Sequence, residues 1–532
     1  MKKQNKYRFI ALITACLFWM AWPMQGITGL IFFAFVPLLF LEDDLYQHSN
    51  PRSSKILFNY SFLSFALWNL ASTYWIWNAS AVGMIIAVLL NAFLMSTVMW
   101  AFHYVKIKVN PATANLSFVF FWMAMEYFVL SWDLSWPWMN LGNVFSEQIT
   151  WVQWYEYTGT FGGTFWILSA NMILFLSIKK SVLYKSDWLA QLKNFSAAIA
   201  LILAPILISL SIYTTYEEKK NPTNIVIVQP NIDPYSEKFS GLSELQQLQK
   251  LTRLSDSVAQ KNTEFFIWPE TALQNNLNER ALEENQLIQE SRKFLERYKN
   301  GSIITGADSY KPYDKKETIT ARKYRNGECC YDAFNAAFFI ENNQNIQVYH
   351  KSKLVAGVEQ MPYPKLLSFL EPYALKLGGT FGSLGKQDER TVFYTRSGIG
   401  VAPVICYESV YGEFVAEYVK NGAQLIAIVT NDGWWGNTPG YKQHASYAAL
   451  RAIETRRSIA RSANTGISSF INQKGEVILA TEYWKEDAKN ANLNLNDRIT
   501  FYVRQGDFIA FTSALIAILL FTYAVVIKWL KK

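Results

Sequence analysis

Val404-Ile405-Cys406-Tyr407-Glu408 is an apolar run that ends on a cysteine, with a carboxylate two residues later. Two stretches upstream share its form. Phe265-Phe266-Ile267-Trp268-Pro269-Glu270 ends on a glutamate, and Ile346-Gln347-Val348-Tyr349-His350-Lys351 ends on a lysine. Each puts a reactive side chain where a strand-like run gives way to a turn, the usual place for chemistry in an α/β sheet. Glutamate, lysine and cysteine on three such ends suggest a thiol nucleophile with its own base and its own cation.

A chain of 532 residues is too long for one ordinary domain. Half of it is apolar (51%), 16% is aromatic and only 17% is charged, a balance that leans towards membrane. Spanning a bilayer takes roughly 17–25 apolar residues. Eight stretches qualify: 8–24, 25–41, 56–76, 80–104, 114–131, 162–178, 195–213 and 508–527. The expected organisation is a membrane domain of seven transmembrane helices over 1–213, a catalytic domain over 214–507, and a final helix with a basic tail over 508–532.

Charge orients this arrangement. With the N-terminus in the cytoplasm, the cytoplasmic segments hold fifteen cations, from Lys2, Lys3, Lys6 and Arg8 to Lys528, Lys531 and Lys532. The external connections between the first seven spans, including 132–161, hold no Lys or Arg. Such asymmetry is the positive-inside pattern, and it puts 214–507 outside the cytoplasm. It also explains the net charge of +8: the cytoplasmic segments sum to +11, so the rest of the chain is slightly acidic. A nucleic-acid footprint would need a basic patch on the soluble part, so none is expected.

Lys2 and Lys3 before an apolar run resemble a signal peptide, but the run continues through Leu17-Phe18-Trp19-Met20 and a second span follows, so an uncleaved helix is expected. Cys16 reads as a small apolar residue, and the adjacent Cys329 and Cys330 as two ordinary thiols in preference to a redox pair, leaving Cys406 for chemistry. His444 is one of four histidines, and no pair has metal-ligand spacing. Neither a metal nor a cofactor is expected. Residues 446–460 read as a surface-packed helix with Arg451, Arg456 and Arg457 on its polar side.

From Asn224 the pattern changes to short β-branched runs between polar helices. Strands are expected near 225–228, 265–267, 302–306, 332–340, 346–350, 391–395, 399–406, 423–430 and 466–471, with helices near 241–260 and 279–297. This alternation argues for a layered α/β or α+β domain. Pro269 would end a strand and aim the Glu270 carboxylate, although a glutamate at a turn is also an ordinary surface residue. Lys351 and Lys353 would share one face of a strand, so spacing barely separates them. Cys406 could equally be a buried structural thiol. The three roles are complementary: a cation that lowers the thiol pKa, a carboxylate that takes its proton, and a lysine that stabilises an oxyanion.

Trp268-Pro269-Glu270, Tyr349-His350-Lys351 and Ile405-Cys406-Tyr407-Glu408 resemble, in order and placement, the glutamate, lysine and cysteine motifs of the nitrilase superfamily. With Asn431-Asp432-Gly433-Trp434-Trp435-Gly436, Arg461-Ser462-Ala463-Asn464-Thr465-Gly466 and Trp136-Pro137-Trp138, the resemblance narrows to the apolipoprotein N-acyltransferases. It covers nearly the whole chain. It implies a polytopic α-helical membrane domain plus an α/β nitrilase-like domain, a four-layer αββα sandwich. It further implies a ping-pong reaction at the periplasmic face of the bacterial inner membrane. A phospholipid acyl chain would pass to the cysteine, and then to the α-amine of a lipoprotein's diacylglyceryl-cysteine.

By the same resemblance Glu270 is the base, Lys351 the oxyanion-stabilising cation and Cys406 the nucleophile. Glu359, Tyr407 and Glu408 support the site, and Trp434 and Trp435 are candidate substrate contacts. The chain reads Ala356-Gly357-Val358-Glu359 where the family usually has Pro-Phe-Gly-Glu, and Gly433 and Trp435 stand where alanine and phenylalanine are common. The expected partners are the phospholipid donor and the diacylated lipoprotein, with the enzyme a membrane-embedded monomer. Two rivals share these residues: a membrane-tethered amidase or hydrolase that passes the acyl group to water, and a scaffold that has kept the domain without the chemistry.

Overall fold

The computed structural model describes residues 2–48, 51–184, 188–233, 241–324, 329–363 and 383–530. The chain divides into two compact units. One comprises Met1–Trp77, Ala81–Thr215 and Gln505–Lys532, the other Asn78–Ser80 and Tyr216–Arg504.

The first unit is helical. Among the described residues five helices are long and apolar enough to cross a membrane: Ala81–Lys108, Pro111–Val129, Tyr155–Ser181, Phe195–Thr215 and Phe508–Leu530. The expected spans over 8–24 and 56–76 fall on helices of 20 and 21 residues, Lys2–Ala21 and Ser53–Thr73, that carry more polar residues. The expected span 25–41 is not one helix. A 3-10 turn at Thr28–Phe32 and a helix at Val36–Gln47 flank a break. Pro37, in the first turn of the second piece, cannot donate to the carbonyl of Phe33, and Gly26 adopts φ 86° just before the first. Aromatic rings fill the interior, with Phe18 stacked on Trp68 at 4.4 Å and Phe35 edge-on to Trp122 at 4.7 Å.

The connection 132–161 folds back as three 3-10 turns, Pro137–Met139, Leu141–Glu147 and Ile149–Trp151. Backbone that is not helical must find partners when it is buried. Glu126 supplies one, accepting from Leu141 N at 2.8 Å, Trp122 Nε1 at 2.9 Å and Thr164 Oγ1 at 2.8 Å. The Tyr155 hydroxyl donates to the Gly142 carbonyl at 2.9 Å.

Among the described residues the second unit holds fourteen strands: β1 (Pro222–Gln229), β2 (Thr263–Ile267), β3 (Leu273–Asn278), β4 (Ser302–Tyr313), β5 (Arg322–Lys323), β6 (Cys330–Glu341), β7 (Gln347–His350), β8 (Phe393–Tyr394), β9 (Gly400–Ile405), β10 (Leu425–Thr430), β11 (Ile459–Ala463), β12 (Ser469–Ile471), β13 (Val477–Ala480) and β14 (Asp487–Asn494). One sheet runs β14-β1-β2-β4-β6-β5, with β3 beside β4 and β7 beside β6; the other runs β13-β12-β11-β10-β9-β8. The sheets face each other, with β1 on β11, β4 on β10 and β6 on β9. Helices Glu244–Val258 and Gln286–Leu295 cover the first sheet, and Gly412–Lys420 and Pro439–Thr455 the second. This is the expected four-layer αββα order.

The central strands β9 and β10 are buried throughout, as parallel strands covered on both faces must be, and they read as near-continuous apolar runs. Leu248, Leu251, Ile288 and Phe294 pack one helical layer onto Val226, Phe266 and Ile303. Two segments depart from the expected pattern. The helix expected over 446–460 ends at Thr455, capped by Arg456 in the left-handed region, and the chain then enters β11. It is not a surface helix: Arg451, Arg456 and Arg457 are buried, their guanidinium groups donating to the carbonyls of Val410, Gln473 and Ala423. Cys329 and Cys330, expected as ordinary thiols, are joined as a disulfide.

Candidate active site

β2 runs parallel to β1 and β4, and β9 parallel to β10, so their C-terminal ends gather chemistry as open α/β sheets do. Past β2 the ladder continues briefly: Trp268 N donates to the Ile304 carbonyl at 2.9 Å and Gly306 N to the Pro269 carbonyl at 3.1 Å. The chain then breaks away at Thr271, φ 49°. Gly306 is required here, because a Cβ at that position would come 2.5 Å from the Glu270 Cα. Glu270 is thereby set on a fixed turn against β4.

Lys351 follows β7, which pairs with β6, and its N–H donates to the Asn335 carbonyl at 2.8 Å. Its ammonium is buried. Nζ donates to Glu270 Oε1 at 3.1 Å and to Glu359 Oε1 at 2.8 Å. Asn335, in the middle of β6, completes the ring: its Nδ2 donates to Glu270 Oε1 at 2.8 Å and to Glu359 Oε1 at 3.0 Å. Burial opposes the Lys351 charge, but Glu270, Glu359 and the field of Cys406 outweigh it and hold the ammonium well above the ordinary lysine range. Lys353, which spacing alone could not separate from Lys351, lies over the Tyr411 ring at 5.0 Å instead.

Glu359 is fixed by the turn that precedes it. Its Oε2 accepts from Val355 N at 2.8 Å, and its own N–H donates to the Val355 carbonyl at 2.9 Å. Gly357, at φ 79°, makes that turn possible.

Cys406 closes β9 and is partly buried. Its φ of 50° lies in the left-handed region, where a non-glycine residue costs of order 1–3 kcal/mol and persists only when its surroundings fix it. Burial first, then the Glu270 carboxylate, push the thiol well above its ordinary pKa; Lys351 pulls it down but does not prevail. The lysine thus draws the thiol towards ionisation, while burial and Glu270 hold it back.

Glu408 ties the lysine loop to the cysteine turn. One carboxylate oxygen accepts from Tyr349 Oη at 2.6 Å, Ser352 N at 2.7 Å and Lys353 N at 3.2 Å; the other accepts from Ile405 N at 2.9 Å. Burial raises the Glu408 pKa, against these bonds. Tyr407 is buried edge-on to Tyr411 at 5.3 Å. Trp434 and Trp435 lie, each partly buried, on the short turn Asp432–Trp435, with the Trp435 ring 5.5 Å from that of His444. The structure thus brings Glu270, Lys351 and Glu359 into direct contact, with Cys406 inside their electrostatic reach. Asn335 was missed, although a lone amide inside the apolar run Ala333-Phe334-Asn335-Ala336-Ala337 marks a strand interior with a task. Among the described residues no cluster of His, Cys, Asp or Glu could hold a metal ion.

Two family models match the chain: a carbon-nitrogen hydrolase model over residues 225–501 and an apolipoprotein N-acyltransferase N-terminal domain model over residues 14–173. Among curated proteins, the apolipoprotein N-acyltransferase of Chlorobaculum tepidum is 30% identical over 95% of this chain and 94% of its own length. That of Geobacter metallireducens is 25% identical over 94% of this chain and 92% of its own length. The solved structure of Saccharomyces cerevisiae Nit3, a member of branch 10 of the nitrilase superfamily, aligns with 52% of this chain and 93% of its own at 14% identity, with a TM-score of 0.37.

Proposed function

From the premise that this chain belongs to the apolipoprotein N-acyltransferase family, we propose a two-step acyl transfer through Cys406. The protein is an acyltransferase that N-acylates lipoproteins. The donor is a phospholipid and the acceptor is the α-amine of a diacylglyceryl-cysteine. The observation that carries the reading is the Lys351 ammonium bound between Glu270 and Glu359, with the strained Cys406 within their electrostatic reach.

In the first step the Cys406 sulfur attacks the ester carbonyl of the phospholipid and its proton passes to Glu270. Lys351 faces the negative oxygen of the tetrahedral intermediate. The carbon–oxygen bond breaks, the leaving lysophospholipid oxygen takes the proton from Glu270, and a thioester remains. In the second step the α-amine attacks that thioester, gives a proton to Glu270 and forms the amide. The carbon–sulfur bond breaks and the thiolate recovers the proton. Asn335 and Glu359 hold the Glu270–Lys351 pair in register throughout.

The fifteen-to-none distribution of Lys and Arg supports a bacterial inner-membrane protein with both ends cytoplasmic and residues 214–507 on the periplasmic side. We read it as a monomer, with seven spans before the catalytic domain and one after it. A reporter fused after Lys532 is expected to behave as cytoplasmic, and one inserted near Asn221 as exported.

Purified enzyme given phospholipid and a diacylated lipopeptide with a free α-amine is expected to yield N-acylated peptide and lysophospholipid. Blocking the amine should halt turnover after one acyl transfer. Free fatty acid released at one rate with or without the peptide would favour a hydrolase.

A further inference from the structure

Directly behind the nucleophile lies a second buried polar cluster, which the reaction above does not use. Asp432, His444 and Arg461 are all fully buried, on the turn after β10, the helix Pro439–Thr455 and β11. His444 Nε2 lies 3.2 Å from the Cys406 carbonyl oxygen and 3.0 Å from Ser409 Oγ. The Ser409 hydroxyl donates to the same carbonyl at 2.8 Å. On its other side, His444 Nδ1 faces Asp432 Oδ1 at 2.9 Å and Arg461 Nη2 at 3.2 Å.

Asp432 is itself tightly held. Its Oδ1 accepts from Thr430 Oγ1 at 2.9 Å and its Oδ2 from Arg461 Nη2 at 2.6 Å. Arg461 also donates to the Ile467 carbonyl. Gly466 leaves room for the carboxylate, since a Cβ there would come 2.5 Å from Asp432 Oδ2. Burial opposes the Asp432 charge, but Arg461 and His444 keep it ionised.

A carbonyl oxygen only accepts, so the contact with Cys406 requires a proton on Nε2. Nδ1 then either donates to Asp432 or accepts from Arg461, and in both cases the ring cannot swing. The peptide between Cys406 and Tyr407 is planar and trans, so its carbonyl and its N–H point to opposite sides. Two donors that fix the carbonyl therefore also fix the direction of the Tyr407 N–H and the position of the Cys406 Cα. That residue sits at φ 50° and needs such a restraint. Three buried ionisable groups are costly to assemble and only offset one another when well paired, whereas apolar side chains could fill the same space.

We propose that His444, held by Asp432 and Arg461, is a positioning residue for acyl transfer: with Ser409 it clamps the Cys406 carbonyl and so aims the thiol and the following N–H at the ester carbonyl. This rests on the reading of Cys406 as nucleophile. His444 exchanges no proton with the substrate; its effect falls on the orientation of the reacting groups, which a displacement of about 1 Å can cost 10²-fold.

The test uses full-length enzyme in phospholipid, with thermal unfolding followed in parallel. It compares His444→Ala, His444→Gln, His444→Asn and Asp432→Asn by steady-state N-acylation and by single-turnover acylation of Cys406. His444→Ala is expected to lower kcat roughly 10- to 100-fold with KM for phospholipid within about twofold. The amide nitrogen of glutamine reaches the Nε2 position and that of asparagine does not. His444→Gln should therefore recover most of kcat, His444→Asn should not, and Asp432→Asn should fall between. Should His444→Ala fail to accumulate, the glutamine and asparagine pair still decides. Equal kcat in that pair, or a loss expressed in KM alone, overturns the proposal. An unaltered enzyme with no acyl adduct on Cys406 overturns the nucleophile reading itself, and this proposal with it.

Discussion

Lys351 in the catalytic unit and Lys106 in the helical unit are built alike. Each ammonium is almost wholly buried, at 1% and 3% exposure, and each is held between two carboxylates. Lys351 bonds Glu270 at 3.1 Å and Glu359 at 2.8 Å; Lys106 bonds Glu42 at 2.5 Å and Asp43 at 3.1 Å. Neutral side chains extend both networks: Asn335 bonds Glu270 and Glu359, and Ser53 bonds His103, itself on Glu42. A buried ion pair is therefore no sign of catalysis by itself. Around Lys106 the network runs on through His103 on Glu42 and Lys179 on Asp43, each joining one helix to another. Around Lys351 the network ends at a cysteine in a strained conformation whose thiol feels both its charges.

The largest effect should come from removing that one difference. Cys406→Ala is expected to abolish the acyl adduct and lower N-acylation by on the order of 10⁴-fold or more. Cys329→Ala and Cys330→Ala should leave both largely intact. Next come the lysines. Lys351→Met should cost roughly 10²–10³-fold in kcat through loss of oxyanion stabilisation. Lys106→Met takes their shared cation from the buried Glu42 and Asp43, and should instead cost about 3–5 kcal/mol of stability while the folded fraction keeps its kcat. Unfolding and turnover measured on one preparation separate the two, and a large kcat loss in folded Lys106→Met would break the comparison.

The raised pKa of Lys351 adds a sign. Its charge, and the stability that charge brings, are fully present below the unfolded lysine value of about 10.4 and are lost only as pH rises through the higher folded value. A fall in kcat below pH of about 9 would then belong to another group, and the Lys351→Met profile should show the same fall.

Much of this contrast was legible in the residues. Trp268-Pro269-Glu270 and Val404-Ile405-Cys406 are apolar runs stopped by a turn, and both lie at strand ends because the pattern has one physical reading. Lys351 and Lys353 could not be told apart, since period-two spacing gives them the same face and only packing against Glu359 separates them. β11 was hidden because Arg451, Arg456 and Arg457 look like the polar side of a helix that runs on to residue 460, whereas they are buried against backbone carbonyls. β14, Asp487–Asn494, carries almost no apolar signal. It is recruited to β1 partly by amide contacts, Asn224 Nδ2 to Asn490 and Asn492 at 2.9 and 2.7 Å. The lone amide of Asn335 stands out in its apolar run, but nothing local tells that it pairs with Glu270, or that Asp432 pairs with His444.

The smallest expected effect sharpens the comparison within the site. Glu359→Gln keeps the shape and the contact to Val355 N but removes one of the two charges on Lys351. Loss of one charge-assisted bond is worth about 1.5–3 kcal/mol, so kcat should fall roughly 10- to 100-fold, less than for Glu270→Gln. Equal losses for the two would mean that Glu359 takes part in proton transfer rather than positioning.

The most direct test of the central claim is intact-protein and peptide mass spectrometry of the enzyme after exposure to phospholipid alone, then after addition of a diacylated lipopeptide with a free α-amine. The account predicts a single acyl adduct on the peptide bearing Cys406, discharged when the amine is added, with the acyl group recovered on the lipopeptide. An adduct that persists in Cys406→Ala, or that the amine does not discharge, would contradict it.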